Sequence, residues 1–417
     1  MQKYYPDFEL DSLYRIHLEP TSKCNLLCPM CPRGINGASV RKTLELTEIS
    51  FQDFKSWFSP YIKQLKSWVI CGGTGEPNVA KDMLKIIEYI RTENENSFIH
   101  MNTNGGVRTP DYYKELGKYF PIEKQWSTQG QVIFSIDGLE DTNHLYRRNN
   151  SWKKVMENSQ AFIDSGGKAE WEFLIFKHNE HQIEEARQLS KEMGFINFVA
   201  KKALGFQHLN EGVPVPHPVY NKDGTLEYLL EAPVDENNRN LGSRTEIGDV
   251  NIHKSIPLAN RYNWDKKFMD SILDFNPVTA HAEPDYERRV NNSTINCKVL
   301  GQPENPEDKH EIYVTAQGLV MPCCWIGTIY YVPSNWFEII QIQQVIKKFG
   351  EDKISLYKHT LEEVYNSGYF DIFKNGWNKD NIRCGKLGYC ATTCGENNQI
   401  DDIWTHEKSD RRKRKYR

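Results

Sequence analysis

Long apolar runs are missing. No stretch of eighteen apolar residues occurs in the 417 residues, so a membrane-spanning helix is not expected. The opening MQKYYPDFELDS is polar and acidic and lacks the apolar centre of a signal peptide. An excess of one charge is missing too. Lys and Arg number 52 against 56 Asp and Glu, a net charge of −4, which gives no global attraction to a polyanion. Nucleic acid is therefore not an expected partner. The 12 histidines form no H-x3-H or H-E-x-x-H pattern, which removes those metal sites. Cysteine is sparse for the length: ten residues cannot make a disulfide scaffold. Without an export signal the expected compartment is the reducing cytoplasm, where clustered thiols read as metal ligands. There is no solenoid-length repeat and no extended low-complexity tract.

What is present suits a folded chain. An apolar content of 39% with 12% aromatics can build one domain of roughly 200 residues and a smaller second one. Strand patterns recur at LYRIHLE (13–19), SWVIC (67–71), SFIHMN (97–102), QVIFSID (131–137), WEFLIFK (171–177) and FINFVA (195–200). Helical spacing lies between them. Trp152, Val155, Met156, Ser159, Phe162 and Ile163 share one face, as do Ile183, Ala186, Leu189 and Met193, with Gly194 as the stop. Strand–helix alternation predicts right-handed crossovers and a parallel sheet. Six units are too few for a closed eight-fold barrel, so an open one is expected over residues 1–205. Residues 206–290 lose periodicity and read as a long connection, part of a substrate-covering surface. A cysteine-rich α+β domain is expected at 291–400, followed by a basic tail at 401–417 that reads as a solvated end.

The cysteines are unevenly placed. KCNLLCPMCPRG (23–34) follows the first strand and sets Cys24, Cys28 and Cys31 as C-x3-C-x2-C. Three thiolates on a four-iron cluster leave one iron without a protein ligand, and there chemistry can occur. A structural zinc site with a distant fourth ligand is the alternative. CGGTGEP (71–77) follows the second strand, where its glycines permit close backbone approach to a ligand or merely a tight turn. MNTNGG (101–106) and FSIDGLEDTNHLYRR (134–148) follow the third and fourth. Val132, Phe134 and Ile136 alternate to one side, so Ser135 and Asp137 face the other. They can hydrogen-bond ribose hydroxyls, or Asp137–Gly138 can simply make a turn. All four motifs fall at C-terminal strand ends, where barrel enzymes build active sites. Six further cysteines lie beyond residue 296: Cys297, Cys323 and Cys324 in GLVMPCC, and Cys384, Cys390 and Cys394 in CGKLGYCATTC. The preceding IYVTAQGLVMPCC reads as a hairpin turning at Gln317–Gly318. Cys71 reads as structural.

YRIHLEPTSKCNLLCPMCPRG resembles the first strand and cluster loop of radical S-adenosylmethionine (SAM) enzymes, whose signature is this C-x3-C-x2-C. Met30 stands where that family often has an aromatic residue. The resemblance implies a partial (β/α)6 TIM-like barrel and a [4Fe–4S] cluster on Cys24, Cys28 and Cys31 that binds SAM. It implies that Gly73, Gly75 and Glu76 hold the methionyl amino group and that Ser135 contacts the cofactor. Asn104 and Asp137 would then line the site, and Arg147 or Arg148 would pair with a carboxylate. The later cysteines resemble the auxiliary-cluster region called SPASM, or its shortened form, Twitch. Asn381 replaces one SPASM cysteine and none follows Cys394, so one auxiliary [4Fe–4S] cluster is expected. Cys297, Cys323 and Cys394 match best, with Cys384 and Cys390 competing for the fourth place. Cys324 reads as a hydrogen-atom donor to the substrate or as a buried small hydrophobe.

The implied reaction is one-electron reduction of the cluster by a flavodoxin or ferredoxin. SAM is cleaved to methionine and a 5′-deoxyadenosyl radical, which takes a hydrogen atom from the substrate. With the cluster beginning at Cys24, no N-terminal peptide-recognition domain is expected, which favours oxidation or epimerisation of a small molecule. A peptide-modifying maturase and a non-catalytic iron–sulfur electron-transfer or binding protein are the alternatives.

Overall fold

Side chains along each barrel strand point alternately toward the helices and into the concave face. The computed structural model describes residues 9–122, 130–206, 208–210, 213–239, 245–246, 284–297, 299, 310–331 and 337–395. Most of the expected connection at 206–290 and the whole basic tail at 401–417 lie outside these residues. Strands β1 (Leu13–Leu18), β2 (Ser67–Ile70), β3 (Phe98–Thr103), β4 (Gly130–Ser135), β5 (Ala169–Ile175) and β6 (Asn197–Lys202) occur in the expected order. Each pairs in parallel with the next. Ile16, Trp68, Ile99, Val132 and Trp171 turn outward and are fully buried. Arg15, His17, His100, Gln131, Glu172 and Lys201 alternate with them on the concave face. Lys201 Nζ there meets Glu172 Oε1 at 2.6 Å.

Helices α1 (Phe51–Phe58), α2 (Met83–Glu93), α3 (Pro110–Gly117), the short α4 (Asn143–Tyr146), α5 (Trp152–Asp164) and α6 (Ile183–Met193) return the chain between strands. In α5, Ser151 caps the first turn by accepting from the Lys154 N–H at 3.4 Å, and Val155, Ser159 and Phe162 are buried. The Phe162 ring packs on those of Phe120 and Phe134, so Phe162→Ala would cost about 3–5 kcal/mol. Helix α6 stops where Gly194 takes φ +92°, as the spacing predicts.

The hairpin at 312–324 forms, but it does more than the sequence suggests. Strand β7 (His310–Val314) pairs in parallel with β1, and β8 (Val320–Met321) runs antiparallel to β7. The barrel sheet therefore has eight strands in the order β8-β7-β1-β2-β3-β4-β5-β6. Gly318, at φ +74°, makes the turn, with Thr315 N–H donating nearby, since Leu319 C=O accepts from it at 3.0 Å. Helices α7 (Pro284–Asn292), α8 (Cys324–Tyr330), α9 (Phe337–Phe349), α10 (Leu361–Asn366), α11 (Tyr369–Trp377) and α12 (Gly388–Cys394) complete the C-terminal part. Their apolar side chains, among them Ile342, Ile346, Phe373 and Trp377, join the same core as the barrel.

Candidate functional site

The cysteine loop leaves the C-terminal end of β1 and folds as two successive turns. Cys31 N–H donates to Cys28 C=O at 3.1 Å and Gly34 N–H to Cys31 C=O at 3.0 Å. A hairpin of His217–Tyr220 and Leu226–Leu230 covers it. His217 Nε2 lies 3.1 Å from Pro29 C=O, and Val219, Tyr228 and Leu230 pack with Leu26, Cys28 and Met30. Burial pushes the Cys24 and Cys28 thiols up to about 12 and the Cys31 thiol in the same direction. Yet N–H groups are aimed at the sulfurs. Cys24 Sγ accepts from Leu26 N at 3.4 Å and from Asn104 Nδ2 at 3.7 Å, and Arg147 Nη1 stands 4.0 Å from Cys28 Sγ. Dry thiols offered donors fit metal-bound thiolates better than free thiols.

The glycine turn after β2 is locked from below. Glu19, 1% exposed, accepts from Thr74 N at 2.5 Å, Thr74 Oγ1 at 2.7 Å, Gly75 N at 3.1 Å and Tyr313 OH at 2.6 Å. Glycine is needed at Gly75 because a Cβ there would lie 1.7 Å from the Thr21 carbonyl oxygen. The close approach at that position is made by the chain itself. At Gly73 a Cβ would meet Thr328 Oγ1 at 2.3 Å, so α8 leans on the turn. Glu76 points inward: it accepts from Thr103 Oγ1 and Asn104 N, each at 2.7 Å, and from Asn78 N at 3.2 Å. Burial raises its pKa, against the pull of those donors. Glu76 thus ties the end of β2 to the end of β3, and Asn104 carries the link on to Cys24.

Asp137 differs from the expectation that it opens toward a ligand. It is fully buried, with Oδ2 accepting from Arg147 Nε at 2.5 Å and Oδ1 from Leu174 N at 2.6 Å. Its carboxylate holds Arg147 in place. Burial opposes the charge on Arg147, but Asp137 and Cys28 outweigh it and keep the guanidinium cationic. Arg148 turns the other way, to Glu227 at 2.7 Å on the covering hairpin. Arg147 is the arginine beside the thiols. Ser135 ends β4 half-buried, in register with Glu172 of β5.

The second thiol set gathers from distant segments. Cys323 interacts electrostatically with Cys297 and Cys390, and Cys390 with Cys297 and Cys394, so these four share one neighbourhood. Asn296 N–H donates to Cys394 C=O at 2.7 Å, and Ile295 bridges Gly395. Cys384 is exposed on a single 3-10 turn and is not among the thiols that act on Cys323 or Cys390. Cys324 is raised by burial first and then by Glu311 and Cys71 on the barrel side, and it also acts on Cys323, so it lies between the barrel and the other four. Among the described residues no disulfide joins any cysteine, and no three histidine, cysteine or carboxylate side chains converge closely enough for a single metal ion. No described helix is long and apolar enough to cross a membrane.

Glu19 and Arg33 escape sequence reasoning, because a charged residue in a loop reads as surface. The only signal is position: EPTSKC sets Glu19 just before the cysteine loop and CPRG sets Arg33 just after it.

The chain is a parallel, open α/β barrel with three thiols on a loop at its strand ends, where barrel enzymes build active sites. Residues 18–190 match the radical SAM superfamily. Over 150 residues it is 28% identical to the 7,8-dihydro-6-hydroxymethylpterin dimethyltransferase of Methanocaldococcus jannaschii, covering 34% of this chain and 26% of that protein. Only that quarter of the relative's length is therefore spanned. Among solved structures it is similar to Streptococcus suis SuiB bound to S-adenosylmethionine, at 13% identity and TM-score 0.43, covering 91% of this chain and 72% of that one. It is similar also to native anSMEcpe with bound AdoMet and Cp18Cys peptide, at 16% identity and TM-score 0.44, covering 92% and 88%.

Proposed function

We propose that the chain reductively cleaves SAM and uses the resulting radical to oxidise or epimerise a small organic molecule. The observation that carries this is the trio of thiols, Cys28 buried and Cys24 and Cys31 half-buried, with N–H donors on sulfur and joined through Asn104 to Glu76. Cys24, Cys28 and Cys31 would hold a [4Fe–4S] cluster. When bound, that cluster supplies an electron for SAM cleavage and an open iron for the methionyl group. The chain's own part is orientation. Gly73 and Gly75 let Thr328 and the Thr21 backbone close on the turn, and Glu76 and Asn104 fix it against the cysteine loop. Arg147, held by Asp137, offers a cation to the methionyl carboxylate, and Ser135 offers its hydroxyl to the ribose. The covering hairpin excludes water from the loop. Cys297, Cys323, Cys390 and Cys394 would hold one auxiliary [4Fe–4S] cluster, and Cys324, on the barrel side, is the candidate hydrogen-atom donor to the substrate. The electron would come from a flavodoxin or ferredoxin. That the dimethyltransferase is named for a pterin supports a small-molecule substrate.

The test is anaerobic reconstitution of wild type and a Cys24/Cys28/Cys31→Ala variant, with iron and sulfide counted and 5′-deoxyadenosine assayed using dithionite and SAM. About eight irons falling to about four, with cleavage in wild type alone, is the expected result. Zinc in place of iron, unchanged by reconstitution, would overturn it.

A further inference from the structure

Two guanidiniums flank the thiols of the cysteine loop, and they differ in one respect. Arg147 is paired with Asp137, so its charge is locally matched. Arg33 is 6% exposed, and among the described residues no carboxylate pairs with it. Its side chain donates only to backbone carbonyls: Nε to Ser22 at 3.3 Å, Nη1 to Leu26 at 3.0 Å and Nη2 to Cys24 at 3.2 Å. Three bonds from one planar fork staple the start of the loop to its end. Its charge reaches Cys24 and Cys31, and its own backbone N–H serves the Cys31 sulfur.

A buried cation hydrogen-bonded to neutral carbonyls alone is unfavourable unless an anion lies close by. Neutral thiols do not supply one; thiolates gathered on a metal do. Carbonyls of residues 22, 24 and 26 also need not be held by a full positive charge, since an amide or hydroxyl can donate to them equally well. We infer that Arg33 is a positioning residue with two tasks: it fixes the cysteine loop before loading, and its charge offsets the added electron on the reduced cluster. This rests on the iron–sulfur reading of Cys24, Cys28 and Cys31.

Wild type, R33K and R33Q are reconstituted anaerobically and titrated with dithionite, which supplies one electron to the cluster. The signal that changes on adding SAM is followed by electron paramagnetic resonance. Iron per chain and thermal unfolding of the unloaded proteins are read alongside. R33Q is expected to shift the midpoint potential to a more negative value. R33K keeps the charge without the fork, so it should hold the wild-type potential while unfolding at lower temperature and loading less iron. A potential in R33Q equal to that of wild type would overturn the inference. If R33Q does not accumulate folded, R33K decides alone: a negative shift with the charge retained would overturn it, and an unchanged potential supports it. Wild type without a SAM-responsive signal would instead sink the iron–sulfur reading itself, a result distinct from either.

Discussion

The two thiol sets of this chain are built in opposite ways. Cys24, Cys28 and Cys31 lie within eight residues on one loop, stapled by Arg33, donated to by Asn104 and Leu26, and flanked by Arg147. Cys297, Cys323, Cys390 and Cys394 are spread over almost a hundred residues and are gathered by helix packing, backbone pairing and the core. The first set sits among charges and polar donors, as a site needs where an anionic or zwitterionic ligand binds and charge changes during chemistry. The second meets mainly other thiols, Trp377 and apolar side chains, and burial drives Cys323 and Cys390 upward with no guanidinium among the causes. Such surroundings suit a group that is held still and electronically insulated. On the proposed reading, a local loop with local countercharge would serve reactivity, and a dispersed apolar set would serve structure or electron storage.

The largest effects should come from removing single thiols, and they test whether the two sets are separate. Cys28→Ser should abolish 5′-deoxyadenosine formation while leaving the auxiliary iron in place. Cys390→Ser should remove auxiliary iron, whereas Cys384→Ser should leave the iron count of wild type. Equal losses in the last two variants, by iron and sulfide analysis, would break the ligand assignment.

Next in size is Gly75→Ala. Its Cβ would collide with the Thr21 carbonyl, which is backbone and cannot swing away, so about 3 kcal/mol or more of strain must be relieved by moving the turn. Isothermal titration of SAM into the loaded variant should show binding lost, with the auxiliary iron unchanged.

The seam between the regions has its own pH dependence. His310, on β7, lies 2.9 Å from Ser12 Oγ and 2.7 Å from Tyr365 OH, and burial lowers its pKa to about 4. The folded protein keeps it neutral while the unfolded chain takes up a proton near its ordinary 6.5. Its contribution is therefore present above that value and is lost as pH falls toward about 4, by roughly 3 kcal/mol in all. Chemical denaturation between pH 7 and 4 should show a flatter profile for His310→Gln than for wild type. Identical slopes would show that the seam does not titrate there.

Arg148→Ala should have the smallest effect. Its partner Glu227 is half-exposed, so about 0.5 kcal/mol of stability is expected, with SAM cleavage intact. Arg147→Ala assayed beside it sharpens the contrast, because cleavage should fall there.

Much of the barrel was legible because its signals are local. Strand alternation, the α5 and α6 faces, the Gly194 stop and the hairpin turn at Gly318 depend on neighbours a few residues away. The C-x3-C-x2-C loop was legible for the same reason: its ligands are adjacent in sequence, so spacing alone brings them together. Choosing Arg147 over Arg148 was not possible, since successive residues leave the short α4 in different directions and only packing says which meets Asp137. Asp137 itself read as a ligand group, because alternation gives a side but not the partner already waiting there.

By itself, then, the sequence determined the order and direction of the six parallel strands, the loop that gathers three thiols and the glycine turn beside it. Tertiary structure decided that β7 continues the barrel sheet next to β1, that Glu19 and Arg33 are buried and hold backbone, and that Cys390 rather than Cys384 joins the second thiol set. Those outcomes rest on contacts between segments far apart in the chain, whose closure depends on how much apolar surface the whole core can bury and not on any local pattern.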